Sequence, residues 1–215
     1  MAKTNLILVR HGQSLGNATR TILGHTDLDL SELGYKQASA VAEYLKNNKK
    51  IDKIYSSDLK RAFNTVKTYG DMVGMEVIPS KMLREVSVGD WEGRRVDDLI
   101  EEYGEMYTVD WSKRYGTFKF PGGEGTIAAG ERFYNEIRKI CLENEGKTLL
   151  IGAHAAVIRS FWSIVAGIKP EELNDALPFP TNASCSTMSF DGEDFILGEF
   201  SYDEYLSGMM SPKLF

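Results

Sequence analysis

Leu6-Ile7-Leu8-Val9-Arg10-His11-Gly12 is the stretch on which the reading of this chain turns. Four consecutive apolar residues, without alternation, predict a strand buried on both faces. Such a strand, ending in a guanidinium beside an imidazole, delivers an anion clamp and a nucleophile to one point. A neutral imidazole is nucleophilic, and the planar Arg fork matches phosphate oxygens. The pair therefore points to phosphate chemistry. Arg-His pairs also occur on ordinary surfaces, so the weight falls on the segments that follow.

Working outward, residues 12–24 hold Ser14, Asn17, Thr19 and Thr21 and predict a short helix or structured loop above the strand end. Ser31 caps a helix running to about residue 47, with Leu33, Ala38, Val41, Ala42 and Leu45 on its apolar side. Residues 51–55 read as a second strand, and Ser57 as the cap of a helix over 58–73 that Gly74 ends. Residues 75–78 read as a third strand, stopping before Pro79. Residues 83–125 differ in character. They are rich in Gly, Trp, Tyr and charge, with helical spacing near 96–103, and read as an insertion folding over a site. Helical spacing returns over 126–143, a buried strand follows at 148–152, and an apolar helix at 157–165. Residues 186–190 and 195–200 flank Asp191-Gly192-Glu193-Asp194, a hairpin signal, and the tail after Ser207 reads as peripheral.

This order predicts an α/β three-layer sandwich with a mostly parallel central sheet, helices on both faces and an antiparallel edge hairpin. Residues 1–215 read as a single domain, its insertion at about 83–125 covering the active site. Ligands of such sheets sit outside the carboxyl ends of the strands, where Arg10, His11 and His154 all fall.

Bulk properties narrow the function. A net charge of −6 argues against nucleic-acid binding. No signal-peptide core and no membrane-length apolar stretch is seen, so no membrane association is expected. Cys141 and Cys185 lack C-x-x-C spacing and read as buried, reduced thiols of a cytoplasmic protein. With 3 His and 2 Cys, scattered, no metal and no cofactor are expected.

The segment Leu8-Val9-Arg10-His11-Gly12-Gln13-Ser14, with Asn17, resembles the signature of the histidine phosphatase superfamily, the phosphoglycerate mutase-like proteins. Gly24-His25-Thr26-Asp27-Leu28-Asp29-Leu30-Ser31-Glu32-Leu33-Gly34 resembles its loop and helix start. Tyr55-Ser56-Ser57-Asp58-Leu59-Lys60-Arg61-Ala62 is similar to its second Arg motif, and Leu83-Arg84-Glu85 through Gly89-Asp90-Trp91-Glu92-Gly93 to its acid motif. Gly152-Ala153-His154 stands at its second His. The resemblance implies that His11 attacks phosphorus and carries a phosphohistidine, its other ring N–H held by a carbonyl. Arg10 and Arg61 would hold the phosphoryl oxygens, and His154 would donate to one opposite Arg10. Asn17 would offer an amide donor, or else cap a turn. Glu85 would serve as general acid and then base, with Glu92 the competing carboxylate. That role calls for a raised pKa, expected from Trp91 and a lid. Ser57 would support the site or merely cap its helix. Two departures stand out: Ala155 where the family usually has Gly, and Gln13 where many members have Glu.

Phe120-Pro121-Gly122-Gly123-Glu124 is similar to a stretch of the family's smaller phosphatases. The favoured reading is hydrolysis of a phosphate monoester of a small metabolite. The alternative is a cofactor-dependent phosphoglycerate mutase, and third a non-catalytic phospho-ligand binder. Lys113 and Arg114 would bind a substrate carboxylate or second phosphate, or be exposed charges on the lid. His25 would line the mouth or lie at the surface.

Overall fold

A computed structural model describes residues 2–111 and 113–211. The first strand, β1 (Thr4–Arg10), leads through a short helix α1 (Leu15–Ala18) to the long helix α2 (Glu32–Asn48). Then come β2 (Lys53–Ser57), α3 (Lys60–Val73) and β3 (Val77–Ser80). The segment that follows carries α4 (Val96–Tyr103) and a wide π-type turn at Met106–Trp111. Next are α5 (Thr126–Leu142), β4 (Thr148–Ala153), α6 (Ala155–Ala166) and the single turn α7 (Leu173–Ala176). The hairpin β5 (Cys185–Phe190) and β6 (Phe195–Leu197) completes the sheet.

The strand order is β3-β2-β4-β1-β5-β6. β1 to β4 run parallel, while β5 is antiparallel to both β1 and β6. This is the expected mixed α/β sandwich. Period-2 alternation sorts β1 between two apolar layers. Leu6 and Leu8 pack with Phe133 and Ile137 of α5 and Val157 and Phe161 of α6. Ile7 and Val9 pack with Val41 and Leu45 of α2 and Val66 and Tyr69 of α3. The unbroken apolar run is thus a strand covered on both faces. Its carboxyl end is the first place where a charged side chain can leave the core.

Boundaries shift in ways that matter. Ser31 does cap α2, its Oγ accepting the Gly34 N–H at 3.1 Å. Ser57 caps nothing. β2 runs two residues further than expected, and α3 begins at Lys60 with no side-chain cap. The expected strand at 75–78 continues through Pro79, which is tolerated because β3 is an edge strand paired only with β2. The segment after Ser207 is not peripheral. Gln37 Nε2 donates to the Met209 carbonyl at 2.6 Å and to Ser211 Oγ at 3.1 Å, which brings this stretch to the site's mouth. Residues 212–215 of that tail lie outside the described residues.

The loop after β1 is seated by close backbone contact. A Cβ on Gly12 would lie 2.5 Å from the Gly34 carbonyl oxygen, and one on Gly34 would lie 2.0 Å from that of Gln13. Replacing a helix-interior Gly by Ala ordinarily stabilises by about 1 kcal/mol. Here the added methyl must push backbone apart, and overpacking of that kind costs about 1–3 kcal/mol or more. The second effect wins. Gly34→Ala should lower the urea midpoint at unchanged slope, corresponding to a net loss of about 1–2 kcal/mol. A midpoint equal to or above that of the parent would show that the loop yields freely.

Candidate active site

At the carboxyl ends of β1 and β2 lies a cavity of about 350 Å³. Arg10, His11, Asn17, Arg61 and Glu85 all line it. His154 stands immediately behind, fully buried. Its ring packs edge-on against His11 with centroids 5.3 Å apart. Five separate parts of the chain therefore bring the six residues together: the β1 end, α1, the start of α3, the segment after β3 and the turn into α6.

His11 Nδ1 lies 2.6 Å from the Gly12 carbonyl oxygen. A carbonyl only accepts, so the ring proton sits on Nδ1 and the lone pair on Nε2. The backbone is tied down as well: His11 N–H donates to the Ala153 carbonyl, and its own carbonyl accepts from Ala183 N–H and Asn182 Nδ2. Burial, followed by the nearby Arg61 and Arg10 charges, holds the His11 pKa well below 6.5, against the smaller opposite pull of the Gly12 carbonyl.

His154 Nε2 meets Ser57 Oγ at 2.8 Å. That hydroxyl also accepts the Leu59 N–H at 3.3 Å, so its own hydrogen is free to point at Nε2. The neutral ring then carries its proton on Nδ1, a buried atom without a partner. Ser57 thus orients His154 instead of opening a helix. Burial and then Arg61 hold this pKa well below 6.5 too.

Arg61 donates to the carbonyls of Thr26 at 2.9 Å and Gly24 at 2.7 Å. Arg10 donates through Nη1 to the Pro180 carbonyl at 2.6 Å, while its buried Nε has no partner. Desolvation lowers both guanidinium pKa values to about 10, against the attraction of Glu85, so both remain cationic at neutral pH.

The two candidate carboxylates separate cleanly. Glu92 accepts from His25 N–H, Thr26 N–H, Thr26 Oγ1 and Val88 N–H, and does not line the cavity. It braces the loop that holds Arg61. Glu85 lines the cavity, and its carboxylate accepts the N–H groups of Val86 (3.0 Å), Val157 (3.2 Å) and Ala156 (3.2 Å). It therefore sits on the N-terminus of α6, where an anionic oxygen is well satisfied. The expected desolvating wall from Trp91 is not there. Trp91 is buried among Tyr103, Tyr107, Phe118 and Phe120 and does not line the cavity.

Other expectations resolve in the same way. Asn17 caps the turn, its Oδ1 accepting from Ser14 N–H and Asn182 Nδ2, and the same side chain lines the cavity. Gln13 is turned from the cavity and accepts the Ser31 hydroxyl. Ala155 and Ala156 line the cavity, and Ala156 keeps the N–H given to Glu85. His25 Nε2 meets the Glu85 carbonyl at 2.8 Å. Lys113 is exposed, and Arg114, 69% exposed, pairs with Asp110; neither reaches the cavity. Among the described residues, no cluster of His, Cys, Asp and Glu is arranged to hold a metal ion.

Residues 6–202 match the model of the histidine phosphatase superfamily (branch 1). The chain belongs to this superfamily. It is 35% identical over 158 residues to phosphoglycerate mutase-like protein 4 of Arabidopsis thaliana, covering 73% of this chain and 69% of that one. It is 33% identical over 172 residues to putative phosphoserine phosphatase 2 of Hydrogenobacter thermophilus, covering 78% and 81%. Among solved structures, the mycobacterial glucosyl-3-phosphoglycerate phosphatase in complex with VO3 superposes with a TM-score of 0.84 at 26% identity, over 93% of this chain and 99% of that one.

Parts of this histidine phosphatase site escaped the sequence reading. Residues 178–182 line the cavity, and Asn182 bonds both His11 and Asn17. The available signal was Pro178-Phe179-Pro180 just before β5: an antiparallel strand starts at the end where its parallel neighbours finish. Arg132 and Glu124 were also missed. Arg132 forms a two-bond pair with Glu124 and donates to the carbonyls of Met82, Arg84 and Glu85, and Glu124 in turn accepts the Ser87 N–H.

Both imidazoles are neutral in the fold and titrate normally once unfolded. Their contribution to stability is therefore complete above about pH 6.5 and is lost as pH falls toward their depressed folded values. Ring ¹⁵N resonances of His11 and His154 should stay in the neutral form from pH 8 through pH 6. A midpoint at or above 6.5 for either ring would contradict this electrostatic picture.

Proposed function

We propose that this phosphatase cleaves a phosphate monoester of a small metabolite through a phosphohistidine on His11. The observation that carries the assignment is the Nδ1 contact of His11 to the Gly12 carbonyl, in a cavity shared with two guanidiniums. His11 Nε2 attacks phosphorus and the bond to the ester oxygen breaks. Glu85 delivers a proton to that leaving oxygen, so the alcohol departs neutral. Water then attacks the phosphohistidine, Glu85 takes the water's proton, and inorganic phosphate leaves with His11 restored. Arg10, Arg61, His154 Nδ1–H and the Asn17 amide hold the three non-bridging oxygens as charge redistributes on them. Residues 83–125 act as the cover of a single domain. The two buried free thiols suit a reducing, cytoplasmic setting. No described helix is long and apolar enough to cross a membrane.

Mutase-named proteins are among the relatives, so isomerisation of phosphoglycerate is the second reading. It needs a cation for the substrate carboxylate, and Lys113 and Arg114 lie off the cavity.

The enzyme should release phosphate from p-nitrophenyl phosphate in the presence of a chelator. A burst of nitrophenol equal to the enzyme concentration is expected wherever dephosphorylation limits turnover. His11→Ala should cut kcat/KM on the order of 10⁴-fold or more. Activity within tenfold of the parent would remove the covalent mechanism. Glu85→Gln should lower kcat/KM, which reports phosphoryl transfer to His11, by about 10²–10⁴-fold for an alkyl ester, which needs the proton, and less for a nitrophenyl ester, which does not. Given 3-phosphoglycerate and 2,3-bisphosphoglycerate, the enzyme should yield free phosphate; rapid formation of 2-phosphoglycerate would favour the second reading.

A further inference from the structure

Beyond the phosphate cage the cavity changes character. Its outer wall is built from Ile22, Val88, Trp111, Tyr115, Phe120 and Phe179. Among the described residues, the only charged side chains lining it are Arg10, Arg61 and Glu85, all at the cage end. A seated phosphoryl dianion already balances the two guanidiniums, and Glu85, the third of these side chains, is an acid that offers no positive charge. A second anionic group on the substrate would lie against this apolar wall with no counter-ion among the described residues, at a desolvation cost. An apolar group would instead displace water from apolar surface.

The wall is held in shape by a residue the mechanism does not use. Arg159, on α6, is 2% exposed. Its guanidinium lies 4.2 Å from the ring centroid of Phe179 and 5.2 Å from that of Tyr115. Its Nε donates to the Leu177 carbonyl at 2.8 Å, and its Nη2 to the Leu173 carbonyl at 3.0 Å and Asn174 Oδ1 at 2.9 Å. This buried cation is held by carbonyl oxygens and aromatic faces, although its buried Nη1 has no hydrogen-bond partner. It fixes the loop before β5 against the insertion and holds the Tyr115 and Phe179 rings edge-to-face, 5.1 Å apart. An aromatic slot pinned in this way is a preformed surface for one kind of occupant.

We infer that the leaving group is an uncharged, apolar alcohol carrying an aromatic ring or a hydrocarbon of similar size, which rests on Tyr115 and Phe179. This rests on the phosphatase reading above and narrows it. It departs from the substrates for which several relatives are named, phosphoserine and glucosyl-3-phosphoglycerate, since each of those carries a carboxylate.

The test compares three alkyl monoesters of similar leaving-group chemistry: 2-phenylethyl phosphate, ethyl phosphate and phosphoserine. The phenylethyl ester should have a kcat/KM at least tenfold above each of the others, with the gain chiefly in KM. Phe179→Ala should collapse the phenylethyl-to-ethyl ratio toward one. Phe179→Leu, which keeps most of the apolar volume, should retain much of it and guards against a folding defect in the smaller variant. Phosphoserine turned over as fast as the phenylethyl ester, or a ratio unmoved by Phe179→Ala, overturns this inference and leaves the phosphatase reading standing. No hydrolysis of any ester by the folded parent overturns the phosphatase reading itself.

Discussion

Two guanidiniums, half-buried Arg10 and buried Arg61, stand beside two buried imidazoles at one end of the sheet, and the surrounding structure is arranged to tolerate that crowding. An uncompensated buried charge destabilises a fold by several kcal/mol. Backbone carbonyls supply much of the compensation: Pro180 for Arg10, and Gly24 and Thr26 for Arg61. Glu85 is the main electrostatic attraction acting on both. The imidazoles answer the same field by staying neutral. One electrostatic arrangement thus does two things at once. It keeps a lone pair on His11 Nε2, and it leaves an excess of positive potential where a dianion would sit.

Much of the fold was legible because its signals are local. The apolar run of β1, the Ser31 cap, the Gly74 helix end and the hairpin around Asp191 each depend on a few neighbouring residues, and each lies where the pattern put it. Register was harder. Ile51 is buried just before β2 starts, so its hydrophobicity looks like that of a strand residue. Ser57 could cap a helix or serve a distant ring, and only its position across from His154, 97 residues on, decides which. Trp91 misled for a related reason. A large apolar residue six positions from an acid suggests a dry wall around it. The insertion instead builds its own aromatic core from Tyr103, Tyr107, Phe118 and Phe120, and Trp91 is its centre.

The choice between Glu85 and Glu92 shows what spacing alone cannot give. Both lie on the same irregular segment, and nothing in their immediate neighbours marks one as facing the cavity. What separates them is the company each keeps. Glu92 binds the amides of the 24–26 loop, which only becomes its neighbour through the fold. Glu85 sits on the α6 amides, 71 residues further along the chain. Its carbonyl is held from two further sides, by His25 and Arg132. The acid is therefore positioned by three elements, none adjacent to it in sequence.

The cage and the apolar wall come from different parts of the chain. Strand ends and the starts of helices, the most constrained parts of an α/β sheet, carry the residues proposed to hold phosphate. The wall comes from the segment after β3 and the loop before β5, where length and shape can vary without disturbing a ladder. Such a division lets one reaction centre serve many alcohols. The separation is incomplete at one point, however. Phe179 rests on Arg159, and the next residue, Pro180, gives its carbonyl to Arg10. A change that moves the wall at Phe179 is passed along a single peptide unit to Arg10, the proposed clamp on the phosphoryl group. Specificity and rate are mechanically joined there, and the loop before β5 has to satisfy both.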